Sequence, residues 1–70
     1  MTKPTKLTNT VRQSRLLASL TQEQLAGLLG VTRQTILAIE NGKYSPSLEL
    51  ALEMSRVLEV GLDQLFSLPD

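Results

Sequence analysis

Two adjacent side chains near the middle of the chain, Arg33 and Gln34, carry the donors and acceptors that read nucleic-acid base edges. An arginine fork bonds guanine O6 and N7 together, and a glutamine amide does the same with adenine N6 and N7. Other chemistry is poorly supplied. The chain has no cysteine and no histidine, which removes disulfides, the usual zinc ligand sets and the usual nucleophilic triads. Its carboxylates are scattered and it has no glycine-rich phosphate loop, so no catalytic constellation forms. The expectation is a protein that is not an enzyme and needs no metal and no cofactor.

Arg33 and Gln34 matter only if something positions them. They open the second of two short helices, predicted at about residues 22–28 and 33–41. The first begins at Thr21, whose hydroxyl caps first-turn N–H groups, and Gln24 three residues on completes a capping box. The second begins at Thr32, just past a Gly30–Val31 turn, and stops at Asn41–Gly42. A glycine there accepts a left-handed backbone without steric cost. Two short helices joined through a glycine turn form the helix-turn-helix pattern, in which the second helix enters the DNA major groove.

The remaining elements are also read as helices. One starts near Thr8 or Asn9 and runs to about Ala18. Another starts at the Ser47 cap, with Glu49 in its first turn, and runs to Leu58 or Glu59. A short last helix covers roughly Leu62 to Leu68 before Pro69. The apolar stripes are Leu25, Leu28 and Leu29; Ile36 and Ile39; Leu48, Ala51, Leu52, Ser55 and Leu58; and Leu62, Leu65 and Phe66. No segment alternates long enough to predict a sheet. The result is an all-α domain of five helices over residues 8–68, after a flexible arm at residues 1–7.

Seventy residues are enough for one domain, near the size at which dimerisation usefully extends a core. The formal net charge is zero, but its distribution is uneven. Up to Lys43 the cations Lys3, Lys6, Arg12, Arg15, Arg33 and Lys43 face only Glu23 and Glu40. From Tyr44 on, Arg56 alone offsets Glu49, Glu53, Glu59, Asp63 and Asp70. One half thus has the charge of a phosphate-facing surface, and the other that of a surface DNA avoids. No signal peptide or membrane span is evident, so the expected location is cytoplasmic.

Four segments together carry a family resemblance: Leu20-Thr-Gln-Glu-Gln-Leu-Ala26, Leu29-Gly-Val-Thr-Arg-Gln-Thr-Ile36, Ile39-Glu-Asn-Gly-Lys-Tyr44 and Pro46-Ser-Leu-Glu-Leu-Ala51. Over residues 8–68 the chain resembles the Cro/cI-type (XRE) helix-turn-helix regulators, especially the minimal members built from this domain alone. The resemblance implies a lambda-repressor-like domain with its helix-turn-helix at helices two and three, binding double-stranded DNA. It implies that Gln22 holds a phosphate through its side chain and neighbouring N–H groups, at a helix N-terminus suited to anions. It places Arg33 and Gln34 on base edges. Thr32 would cap and touch a thymine methyl or a phosphate, while Asn41 and Lys43 would hold the backbone and set register. Arg12 and Lys6 are further phosphate candidates. Arg15 and Glu40 are implied to pair beneath the binding surface. The plainer alternatives are that Arg33 and Gln34 form a solvated helix face, and that Gln22 is only a good first-turn residue.

Some positions depart from the family pattern. Ser19 and Glu59 stand where a helix-ending glycine is common, so either they adopt the left-handed conformation or those helices end differently. Gly61 stands where a capping Ser or Thr is common. Ser14 replaces an apolar core residue, so the first helix is rotated or shows Leu16 to a partner. Leu37 and Ala38 share the face of Arg33 and Gln34, opposite Ile36 and Ile39. They either contact thymine methyls or are incidentally exposed.

The function this predicts is a sequence-specific transcriptional regulator, a repressor acting as a homodimer on a palindromic operator. Leu65, Phe66 and Leu68 are the dimer candidates, although Phe66 serves equally to close its own core. There is no room for a small-molecule ligand domain. The alternative reading is a protein-interaction module, such as an antitoxin-like accessory subunit, with a protein partner instead of DNA.

Overall fold

In the computed structural model, residues 6–69 are described. The elements in chain order are β1 (Thr8–Asn9), α1 (Val11–Leu17), α2 (Gln22–Leu29), α3 (Arg33–Glu40), α4 (Leu48–Leu58), α5 (Leu62–Leu65) and β2 (Phe66–Ser67). Their apolar faces meet in one core of Val11, Leu25, Ala26, Leu29, Ile36, Ile39, Met54, Leu58 and Leu65. Helix α2 packs on both α3 and α4, and α1 packs on α3. Among the described residues no helix is long and apolar enough to cross a membrane.

The start signals act as their chemistry dictates. The Thr21 hydroxyl accepts from the Gln24 N–H at 3.0 Å, and Gln24 Oε1 accepts from the Thr21 N–H at 2.8 Å. Thr32 Oγ1 accepts from the Thr35 N–H, and Ser47 Oγ from the Leu50 N–H. At the other ends, Gly30 and Gly42 both have φ of 71°. After Gly42, the Lys43 N–H reaches back to the Ala38 carbonyl at 2.9 Å and the Gly42 N–H to Ile39 at 3.0 Å. These are the paired bonds of a Schellman ending. Ser19 and Glu59 end α1 and α4 in the same way, with φ of 59° and 56°. The non-glycine residues therefore take the left-handed conformation themselves.

Two expectations need correction at the chain ends. The first helix starts at Val11 because Thr8 and Asn9 are extended and pair antiparallel with Ser67 and Phe66. The last helix stops at Leu65 for the same reason, since Phe66 is already extended. The Asn9 side chain does two jobs there: Oδ1 accepts from the Val11 N–H, and Nδ2 donates to the Ile39 carbonyl at the end of α3. The five expected helices are present, and the all-α reading misses only a pair of two-residue antiparallel strands at the chain ends, too short to show any alternation. Of the expected arm, residues 1–5 lie outside the described residues.

The stripes are corrected too. Leu28 is exposed, and α4 buries Ala51, Met54 and Leu58 while Leu48 and Leu52 face out. Seven residues of α4 are apolar (Leu48, Leu50, Ala51, Leu52, Met54, Val57 and Leu58), so its periodicity fits more than one rotation. Packing selects the one that brings Leu50 and Val57 against the core. Ser14 is buried, and Leu16 and Leu17 are exposed.

Candidate DNA interface

The turn between α2 and α3 is compact. Val31 N–H bonds the Ala26 carbonyl, Gly30 bends the chain, and Thr32 caps α3 immediately afterwards. Helix α3 then sends Ile36 and Ile39 into the core. The same helix leaves Arg33, Gln34 and Leu37 exposed and Ala38 half-buried. This is the face division the spacing predicts. Because the buried pair fixes the rotation of α3, the outward side chains leave a rigid element at defined angles.

Beneath that face lies a buried ion pair. Arg15 Nε donates to Glu40 Oε2 at 2.7 Å, with side-chain exposures of 9% and 3%. Arg15 Nη2 reaches Glu40 Oε1 at 3.4 Å, and Nη1 donates to the Leu20 carbonyl at 2.9 Å. The guanidinium therefore joins α1, α3 and the turn before α2. Such a pair, with its remaining donors satisfied, is tolerated in a core, whereas either partner alone is not.

Gln22 is half-buried, and its amide is already in use. Nε2 donates to Glu40 Oε1 at 3.0 Å, and Oε1 accepts from Arg33 Nε at 3.2 Å. Sequence reasoning missed both bonds, which join residues 18 and 11 positions apart. The backbone at the start of α2 remains suited to an anion. The capping box occupies the N–H groups of Thr21 and Gln24, and those of Gln22 and Glu23 precede the first intrahelical bond.

A shallow groove on the same side is lined by Thr32, Gln34, Thr35, Ala38, Lys43 and Tyr44. Asn41 caps the end of α3 and is exposed, as is Lys43. Arg12 is exposed on the first turn of α1. The structure thus gathers Gln22, Arg33, Glu40 and Arg15 into one bonded set, and Thr32, Gln34, Ala38 and Lys43 around one groove. Leu65 is 0% exposed and belongs to the core, so it is not available to a second subunit. Phe66 is half-buried against the core and Leu68 is exposed. Asn9 was legible only as a candidate helix start; its bond to the Ile39 carbonyl, 30 residues away, has no local signal.

A helix-turn-helix family profile matches residues 11–65. An uncharacterised HTH-type transcriptional regulator of Methanocaldococcus jannaschii is 48% identical over 62 residues, covering 89% of this chain and 94% of that protein. The HTH-type transcriptional regulator YgzD of Bacillus subtilis, also uncharacterised, is 40% identical over the same shares of the two chains. Among solved structures, the restriction-modification controller protein C.AhdI of Aeromonas hydrophila is similar with a TM-score of 0.72 and 32% identity. That match covers 80% of this chain and 81% of the controller. The chain belongs to the XRE-type helix-turn-helix family, whose members are DNA-binding transcriptional regulators and not enzymes.

Proposed function

We propose that this DNA-binding regulator is a repressor that binds a palindromic operator as a homodimer, with α3 of each copy in the major groove. The carrying observation is the outward face of α3, with Arg33, Gln34 and Leu37 exposed on a helix whose rotation Ile36 and Ile39 fix. Arg33 meets a guanine and Gln34 an adenine, while Leu37 and Ala38 contact thymine methyls. Gln22, Thr32, Asn41, Lys43 and Arg12 hold phosphates and set the register. One recognition helix covers only a few base pairs. A two-fold pair would place two of them about one DNA turn, roughly 34 Å, apart. Bound there, the dimer blocks polymerase sterically.

Phe66 and Leu68 are the side chains proposed for the two-fold contact. They line an apolar groove with Leu48, Pro46 and Leu62, and Leu68 and Leu48 are 73% and 70% exposed. Selection of the purified protein against random duplex DNA at near-physiological salt tests the reading. The expected result is an enriched palindrome with half-sites one turn apart, bound with steep salt dependence as counterions are released. A single enriched half-site would remove the dimer. No enrichment would leave the protein-interaction reading, which the exposed Leu16 and Leu37 support.

A further inference from the structure

Gln22 is held at both ends of its amide. One end gives a hydrogen to Glu40, whose other oxygen takes Arg15, and the opposite end accepts one from Arg33. Four side chains from α1, α2 and α3 therefore form one line of donors and acceptors. It runs from the buried ion pair to the first residue of the recognition helix.

The direction of this line is not reversible. A carboxylate only accepts and a guanidinium only donates. Turned round, the Gln22 amide would present its oxygen to Glu40 and its NH2 to Arg33, and both contacts would be repulsive. Glu40 is the fixed end, with its side chain only 3% exposed and clamped by Arg15 at 2.7 Å. Arg33 is the free end, an exposed side chain on a long stem. Its bond to Gln22 uses Nε and leaves Nη1 and Nη2 for a ligand. Those two nitrogens make the paired bonds to guanine O6 and N7.

We infer that Glu40 is a positioning residue for DNA recognition: through the amide of Gln22 it aims the Arg33 guanidinium and sets the strength of the preference for guanine there. This rests on the base-reading role proposed for Arg33. The gain comes from preorganisation, because an arginine already confined before binding loses less freedom on meeting its base. Glu40 thereby couples the buried ion pair to specificity as well as to stability.

The decisive variant is Gln22→Met, which keeps the length of the side chain, cuts both bonds and leaves Arg15 and Glu40 paired. The readout is the ratio of Kd values for the operator and for the same operator with the Arg33 base pair replaced. The ratio should fall several-fold but by less than in Arg33→Ala, because Arg33 keeps its donors and loses only its alignment. In an Arg33→Ala background, Gln22→Met should leave the ratio unchanged. Glu40→Gln, compared at a temperature where circular dichroism shows it folded, should lower the ratio in the wild-type background and not in Gln22→Met. An unmoved ratio in the folded Glu40→Gln protein would overturn the role of Glu40. Equal weakening on both operators, with the ratio unmoved, would make Gln22 a phosphate contact only and overturn the inference.

A DNA-free measurement separates the two claims. In the free protein the Arg33 Nε–H NMR signal should exchange slowly with water, and this protection should be lost in Gln22→Met while that of Arg15 persists. Unchanged Arg33 protection would overturn the relay whatever DNA does. A protein with intact protection but no sequence preference would overturn the base-reading role and this inference together.

Discussion

The face built from α2 and α3 and the end built from α4, α5 and β2 are both open to solvent, yet they are finished in opposite ways. On the first, which also exposes Leu28 and Leu37, six polar side chains are tied down: the Thr21–Gln24 box, and the bonded set of Arg15, Glu40, Gln22 and Arg33. On the second, Leu48, Leu52 and Leu68 stand exposed on elements that carry Glu49, Glu53, Glu59 and Asp63 and one exposed cation, Arg56. A surface of immobilised donors suits a partner of fixed geometry such as a DNA groove. An apolar surface fringed with acids suits a protein and repels phosphate. The structure also refines the charge count, because Arg15 and Glu40 cancel inside the protein. Lys6, Arg12, Arg33 and Lys43 remain exposed on the basic half.

The largest expected effect breaks the first region from below. Arg15→Ala strands Glu40 as an uncompensated buried charge and should cost about 3–5 kcal/mol. Chemical denaturation should show this directly, with DNA binding lost through unfolding. An unchanged melting temperature with binding lost would instead make Arg15 a phosphate contact. Leu68→Asp addresses the second region. Burying a leucine contributes roughly 1.5–3 kcal/mol, and a two-fold contact counts it twice. Sedimentation should therefore show the dimer dissociating while helicity is retained. Unaltered self-association would move the two-fold surface elsewhere.

Within the DNA face, two substitutions should separate reading from holding. Arg33→Ala should cost about 1–3 kcal/mol of binding and relax preference at one base pair. Lys43→Ala should weaken all sequences alike and reduce the salt-dependence slope by about one. Titrations of matched and singly replaced operators at several salt concentrations distinguish them. The reverse pattern would mean that α3 is docked differently in the groove.

The two regions were also unequally legible in the sequence. The α2–α3 unit was readable because its signals are local: a cap, a box partner three residues on, and a glycine after each helix. The outward face of α3 followed from helical spacing alone, and the Arg15–Glu40 pairing from family resemblance. The bonds of Gln22 were not readable, since nothing local shows that an amide expected to hold phosphate faces Glu40. The terminal strand pair was hidden for another reason. Thr8–Asn9 and Phe66–Ser67 are each two residues long, and their pairing spans almost the whole chain. In α4 the difficulty was excess, because a helix apolar on several faces does not announce which face is buried.

The smallest effect tests whether the two regions are energetically independent. Glu59 ends α4 with φ of 56°, a conformation that disfavours an L-residue by about 1–2 kcal/mol. Glu59→Gly removes that strain but gives the unfolded chain more freedom, worth about 0.4–1 kcal/mol. The net gain should be roughly 0.5–1 kcal/mol, or a few degrees in Tm for a domain of this size. Ser19→Gly, at φ of 59°, should gain a similar amount. The two sites differ in what lies next to them. The Leu20 carbonyl just after Ser19 accepts from Arg15, whereas Glu59 follows a helix with no hydrogen bond to the recognition set among the described residues. Glu59→Gly should therefore raise Tm and leave the base preference unchanged. Ser19→Gly loosens the backbone that supports Arg15, so any shift in preference should appear there. A shift in base preference from Glu59→Gly would show that the acidic end and the DNA face respond as one unit.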